Sequence, residues 1–462
     1  MTRPMDALSD LWRGLALPEE ALGRARLTGE DPVLPSSFRV GTAATAAIGA
    51  AGLAAAEIWH RRTGRAQTVS VDMAHAIAEF HSEHLQRVNG VAPGDTWDPI
   101  AGAYRCGDGS WVRLHANFPH HRDGFLELLG AEHDRASVAR ALESWTGPYL
   151  DEAAAEAGLP AAMMRTLDQW DAHPQARAIA PLPVISITRI GDAPPEPFPN
   201  DPARPLSGVR ALDLTRVIAG PVSGRILAAH GADVLLVTGP HLPSIPYLVV
   251  DTGRGKLSTH IDLRAEAGRE TLRDLIRGAD LFVQGYRPGT LAARGFGPAD
   301  TAALRPGIIH VSLSAYGETG PWHERRGFDS LVQTASGLND AEAADAGSPG
   351  KPRPLPVQAL DHGAGTLMAF GAMAALLRRA EEGGSWHVQV SLARTALWLR
   401  SLGRIPGGTA ATAIPTPADA VEESDSGFGR LTATRHAAIL SDTPAYWARP
   451  SVPLGTHPAR WP

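Results

Sequence analysis

The sequence predicts an α/β fold, a doubly wound and largely parallel sheet accompanied by a smaller α+β domain. Three observations carry that expectation. Between residues 209 and 313, short apolar runs of strand length alternate with helical patterns, the rhythm of right-handed βαβ units. A helix–glycine–strand–helix pattern occurs twice, over 52–74 and again over 371–393. Between 97 and 145 the pattern changes to an Asp108-Gly109 turn between strand-like segments, followed by helical ones.

Composition bounds the rest. A chain of 462 residues has room for two or three domains of roughly 100–200 residues each. Its 44% hydrophobic and 20% charged residues supply ample core. Aromatics are few, whereas Ala, Gly and Pro abound, so helices are expected to pack closely around small side chains. A formal charge of −6 and the lack of any Lys/Arg-rich run make nucleic acid and membrane surfaces poor candidate partners. Cys106 is the single cysteine, which excludes an internal disulfide and any Cys-based zinc site. It reads as an inert packed thiol. The first 17 residues mix Arg, Asp and Glu with apolar side chains and lack a signal-peptide core, so a cytoplasmic location is expected. Residues 43–58 are apolar but built of Ala and Gly, and they run into His60-Arg61-Arg62. That is short of the ~20 residues a bilayer requires, and a buried helix is the expectation.

Taken in chain order, residues 1–35 form an N-terminal segment. Residues 36–190 contain the first copy of the repeat, in which an Ala-rich helix, Gly64 and the alternating Thr68-Val69-Ser70-Val71 precede a helix over 74–81. The same unit holds the small α+β domain at about 95–175, with helices over 124–129 and 136–145. Prolines and polar residues mark a linker at 191–205, within a Pro-rich stretch that begins near 181. The main domain, 206–404, is read as strands over 209–214, 233–237, 257–263, 281–286 and 308–313, with helices over 221–230, 265–277 and 299–304. Gly383 stands before its second-copy strand as Gly64 does in the first. Residues 405–462 are rich in Gly, Pro, Thr and Ser, a tail expected to wrap over a surface or remain partly disordered.

Candidate chemistry sits at two places. The first βα turn, Asp213 to Pro221, is small enough for backbone amides to approach a ligand at a helix N-terminus. It is not a G-x-G-x-x-G fingerprint, so a dinucleotide is not indicated. Asp361 precedes an Ala-rich helix, where it reads either as a helix cap or as a carboxylate at the ligand-binding edge of the sheet. From its reference pKa of ~3.9 it is expected to be ionised at neutral pH unless buried without partners. His115, His120 and His121 cluster without a suitably spaced third ligand, and are read as surface or hydrogen-bonding residues rather than a metal site. G-x-S-x-G, P-loop and H-E-x-x-H motifs are absent.

These segments resemble the family III CoA-transferases, also called the CaiB/BaiF family. The stretch Leu206-Ser207-Gly208-Val209-Arg210-Ala211-Leu212-Asp213-Leu214-Thr215-Arg216-Val217-Ile218-Ala219-Gly220-Pro221 is similar to that family's opening strand and CoA-binding turn. Asp280 to Gly289, then Gly320-Pro321-Trp322 and Arg326-Gly327-Phe328-Asp329, are similar to later segments. Asp361-His362-Gly363 falls where the family carries its catalytic aspartate. The resemblance implies a Rossmann-like main domain and a CoA-transferase that moves CoA from an acyl-CoA to a carboxylic acid through an aspartyl anhydride and an aspartyl-CoA thioester. It implies Asp361 as nucleophile and Arg216, Val217, Ile218, Ala219, Lys256, Tyr286 and Arg294 as CoA-binding residues. No permanently bound cofactor or metal is implied, with the CoA thioester serving as substrate and small carboxylic acids as the other partners.

Order is where this chain departs from the family. Residues 38 to about 190 resemble the family's second half yet precede the first-half-like unit, as in a rearranged or truncated tandem. Aligning the repeat places Thr42 opposite Asp361, which predicts one active site per chain. Members of the family form interlocked dimers, implying either a homodimer here or part of that interface mimicked within one chain. Two alternatives stay open, an acyl-CoA racemase or isomerase working by α-proton transfer, with His362 as a base, and a catalytically inactive CoA-binding homologue.

Overall fold

The computed structural model describes residues 2–94, 97–200 and 202–462. Its centre is a seven-stranded sheet. In chain order the strands are β1 (Ser186–Gly191), β2 (Arg210–Leu214), β3 (Asp233–Thr238), β4 (Lys256–His260), β5 (Leu281–Gln284), β6 (Ile309–Ser314) and β7 (Ser385–Ser391). Across the sheet they run β4-β3-β2-β5-β6-β7-β1. All neighbours are parallel except β1, which lies antiparallel on β7. The order reverses between β2 and β5, so the chain ends of those two strands open a crevice, the usual ligand position in such sheets.

Strand composition follows from burial on both faces. Ala211, Val234, Val283 and Val311 point into one core layer, while Leu212, Leu235 and Phe282 point into another under the helix Glu266–Arg277. The first layer is filled by three helices: α1 (Val40–Thr63), α2 (Ala219–Ala229) and α3 (Ala359–Glu382). α3 packs against both α1 and α2. Small side chains permit this close packing; a Cβ on Gly365 of α3 would stand 2.2 Å from the Ala219 carbonyl oxygen of α2. α1 and α3 are long and apolar enough to cross a membrane by length and composition, yet the apolar stretch of each is wholly buried within the protein.

The repeat is present in three dimensions with a twist of connectivity. α1 ends on Gly64 and α3 on Gly383, both at positive φ, and each is followed by a strand and a helix. The second-copy strand is β7 of the main sheet. Its first-copy counterpart, Val69–Asp72, instead joins a small sheet between Ala25–Thr28 and Ile439–Leu440. The tail therefore contributes ordered strands. Its hairpin Val421–Ser426 and Gly429–Thr434 also pairs with Arg87–Val88 of the N-terminal half.

One boundary differs from expectation. The Pro-rich stretch contains β1, an edge strand of the main sheet that the N-terminal half contributes before the linker. An edge strand of half-buried and exposed residues carries little hydrophobic signal, and the neighbouring prolines obscured it. The small domain is an antiparallel sheet, Gly102–Arg105, Trp111–Leu114 and Ala161–Met163, with helices Pro119–Leu129, Arg135–Leu142 and Gly147–Glu156. It has its own core around Tyr104, Val112, Phe125 and Leu150. Cys106 is buried there, and burial pushes its thiol up to about 11.

Candidate active site

The crevice at the β2/β5 reversal is a cleft of about 420 Å³, with Asp361 in its wall. Its floor begins with the turn after β2. Asp213, fully buried at the end of β2, accepts the Thr215 backbone N–H at 3.1 Å and the Lys256 ammonium at 2.8 Å. Lys256 also donates to the Pro221 carbonyl at 2.8 Å. This buried pair shapes a turn in which Val217 has φ of 74°, a left-handed conformation that is a genuine outlier for a β-branched residue. Such strain persists only when the surroundings over-determine it, and it clusters at ligand sites.

Of the residues that the family resemblance names for CoA, Arg216, Val217, Ile218, Ala219, Tyr286 and Arg294 line the cleft. Lys256 does not. Its side chain is 1% exposed and committed to Asp213 beneath the turn, so its position corrects the expectation of a phosphate contact. A lysine in strand β4 reaches inward because its neighbour β3 carries β2 and Asp213 on its far side.

Asp361 sits in the first turn of α3, but it is not the residue that caps it. Asp329 does that from a distance, its Oδ2 accepting the backbone N–H groups of Leu360 at 2.8 Å and Asp361 at 2.9 Å. The Gln333 amide donates to its other oxygen. With the capping work done elsewhere, the Asp361 carboxylate is left to face the cleft. Burial, reinforced by the charges of Asp329 and Glu83, holds its pKa well above the usual carboxylate range. Burial also pushes Asp329 up to about 6, against the pull of its three donors. Asp329 is the better solvated by hydrogen bonds, so it takes the first negative charge of the pair. Ionisation of Asp361 at neutral pH, expected from its reference value, is thus opposed by its surroundings.

The next residue looks the other way. His362 Nε2 lies 2.9 Å from Glu83 Oε2 of the N-terminal half, and its ring stacks on Phe80 at 5.4 Å between centroids. Both side chains are buried, and His362 holds Glu83 down at about 2 despite burial. The imidazole expected as an alternative base does not line the cleft.

The small domain supplies the opposite wall. His115 stacks on Phe328 with ring centroids 3.7 Å apart, and Phe118 lies under the Arg216 guanidinium at 5.0 Å. His121 Nε2 accepts a hydrogen bond from Arg326 Nη1 at 3.3 Å. Burial pushes both His115 and His121 down to about 3, so each is a neutral ring at physiological pH. As expected of surface or hydrogen-bonding residues, His120 is exposed and His121 is hydrogen-bonded; these two line the cleft, while His115 is buried against Phe328. Among the described residues no group of three or more His, Cys, Asp or Glu side chains gathers as a metal site.

The model of CoA-transferase family III matches residues 16–186 and 206–451, nearly the whole folded chain on either side of β1 and the linker. The chain belongs to that family. A probable fatty acyl-CoA transferase of Mycobacterium tuberculosis is 34% identical over 215 residues, 44% of this chain and 54% of that protein. An acyl-CoA transferase of Gibberella moniliformis is 27% identical over 426 residues, 82% of this chain and 74% of that protein. A crystal structure of a CaiB/BaiF family protein from Brucella suis aligns at 26% identity and a TM-score of 0.38, covering 49% of this chain and 65% of that one. The chain spans about half the length of most curated relatives it matches.

Within this family III chain the first copy of the repeat repeats the cap and lacks the carboxylate that follows it. Asp31 accepts the backbone N–H groups of Gly41 at 3.1 Å and Thr42 at 2.8 Å, as Asp329 does for α3. Thr42, opposite Asp361 in the repeat, closes on that cap by donating its hydroxyl to Asp31 at 2.7 Å. Met73 and Val33 fill the adjoining space, their atoms 2.6 and 2.7 Å from where a Gly41 Cβ would stand. Sequence reading missed Asp329, Phe118, His121 and Arg326 as site residues. Arg326 and Asp329 carried a signal as parts of one segment of the family resemblance, and His121 as part of the histidine cluster; Phe118 carried none.

Proposed function

We propose that this chain transfers CoA between carboxylic acids, with Asp361 as covalent nucleophile. The observation that carries the reading is the Asp361 carboxylate, released from capping by Asp329 and facing a cleft at the sheet's order reversal. Membership of family III supports it.

In this mechanism the ionised Asp361 attacks the thioester carbonyl of the donor acyl-CoA. A C–O bond forms, the C–S bond breaks, and a mixed anhydride and CoA thiolate result. The thiolate then attacks the aspartyl carbonyl and expels the donor carboxylate, leaving an aspartyl-CoA thioester. An acceptor carboxylate attacks that thioester, and the freed thiolate returns to the acceptor's acyl carbonyl, regenerating Asp361. Every leaving group is a carboxylate or a thiolate. In this reading, backbone N–H groups at the turn after β2 offset the oxyanion charge. Burial of Asp361 makes its carboxylate more reactive once ionised, because little water has to be displaced.

Donor and acceptor exchange tests the reading. With a labelled acyl-CoA and unlabelled free acids, wild type is expected to move the label, and Asp361→Asn to lose about a thousand-fold or more of that rate. Solvent deuterium entering the α carbon without exchange would instead support α-proton transfer, which the placement of His362 outside the cleft disfavours.

A further inference from the structure

Next to Asp361 along α3, His362 turns into a buried contact with the N-terminal half. Glu83 is held down at about 2, so its carboxylate is charged and can only accept. His362 Nε2 therefore carries the proton and donates it across 2.9 Å to Glu83 Oε2. Glu83 belongs to the short helix Ser82–Leu85, whose other contacts also reach the sheet domain. Ser82 donates to Asp251 at 2.8 Å and accepts from Arg225 of α2 at 3.2 Å. Gln86 donates to the Tyr247 carbonyl at 2.7 Å. The first turn of α3 is thus held twice, by Asp329 through the Asp361 N–H and by Glu83 through the His362 ring.

In the repeat, an equivalent helix start forms without such a contact. In the alignment that sets Thr42 opposite Asp361, Ala43 stands opposite His362 and Leu402 opposite Glu83. Both Ala43 and Leu402 lie in the apolar core. The copy without the carboxylate is therefore also without the imidazole, and its partner position holds no acid. A buried charged pair gains little over well-packed apolar side chains, because desolvation offsets the attraction. Apolar residues serve at the matched positions, so stability alone does not account for Glu83 and His362. Charge points the same way. Among the described residues the carboxylates that act on Asp361 are Asp329 and Glu83. The cleft brings arginines instead, Arg216, Arg264, Arg287, Arg294, Arg325 and Arg326, beside histidine rings from the small domain and after β3. On its own helix Glu83 meets His84, 3.8 Å away.

We propose that Glu83 is a positioning residue for Asp361, fixing the direction of its carboxylate through the His362 ring and facing it with a like charge. This deepens the CoA-transfer reading and rests on it. The nucleophile then depends on a side chain of the N-terminal half that does not line the cleft. Removing the charge of Glu83 favours ionised Asp361, so adduct formation should begin at lower pH. Removing the acceptor as well frees the imidazole, and small displacements of a reacting group slow attack steeply.

The test measures single-turnover adduct formation across pH for wild type, Glu83→Gln and Glu83→Leu, using acetyl-, butyryl-, succinyl- and decanoyl-CoA, with affinity for free CoA from calorimetry. Glu83→Leu is expected to lower the plateau rate about ten-fold or more while CoA affinity stays within about two-fold. Glu83→Gln keeps an oxygen that accepts from Nε2, so it is expected to recover most of the plateau, with the rising limb moved to lower pH. An unmoved limb in Glu83→Gln overturns the proposal. So does a wild-type plateau in Glu83→Leu, or a loss there matched by an equal loss of CoA affinity. Should Glu83→Leu fail to fold, the limb of Glu83→Gln decides alone. A wild type that forms no adduct with any of the four thioesters would overturn the CoA-transfer reading and this proposal together.

Discussion

Asp361 and Asp329 divide two tasks that one aspartate at a helix start would otherwise combine. Asp329 takes the backbone N–H groups of Leu360 and Asp361, and Asp361 takes the cleft. The division has an electrostatic cost, since Asp329, Glu83 and burial all raise the Asp361 pKa. The nucleophile must be ionised, so adduct formation is expected to rise with pH through a value above the ordinary carboxylate range. Asp329→Asn keeps an acceptor oxygen while removing the nearest charge, and it is expected to move that rising limb to lower pH. Single-turnover rates across pH measure the shift; a limb that stays in place would assign the raised value to burial alone. Lys256 makes a contrasting case. Both it and Asp213 are buried, and removing one partner of such a pair costs about 3–5 kcal/mol. Lys256→Met should therefore lower the urea midpoint strongly, unlike a surface contact to phosphate. The strand was read in the sequence from 257, one residue past this lysine; the inward direction of its side chain was not legible, because Asp213 lies 43 residues away and two strands over.

Among elements, α3 carries the site, and α2 sets its depth. Gly365 allows the Ala219 carbonyl to approach, where an added Cβ would stand 2.2 Å from its oxygen. Gly365→Ala is expected to cost about 1–3 kcal/mol by overpacking, read from the denaturation midpoint, and to slow adduct formation by shifting Asp361. Most of these elements were legible because strands buried on both faces leave apolar runs and Gly64 and Gly383 end matched helices. β1 was not, since an exposed edge strand among prolines leaves no such run. The capping aspartates were not legible either. Asp329 lies 32 residues before Asp361, and Asp31 lies 11 before Thr42, outside the local spacing by which caps are recognised.

At the scale of the whole molecule, the cleft joins halves that come in an unusual order. The small domain, from the N-terminal half, places Phe118 and His121 against Arg216 and Arg326 of the sheet domain in the same chain. Glu83 reaches across to His362, and Ser36 and Ser37 donate to the buried Glu342. Both walls and Asp361 thus belong to one polypeptide. The exchange rate per chain is accordingly expected to stay constant on dilution through any change of assembly state, checked by activity beside light scattering. The doubly wound architecture was legible from rhythm alone. How the first-copy strand and the tail pair was not, since strand partners so distant in sequence leave no local trace. The central claim, that Asp361 is the covalent nucleophile, is tested most directly by intact-mass analysis and peptide mapping after incubation with acyl-CoAs. The account predicts a hydroxylamine-sensitive CoA adduct on the peptide bearing Asp361, absent from Asp361→Ala. CoA binding without any adduct, or an adduct that survives in Asp361→Ala, would contradict it.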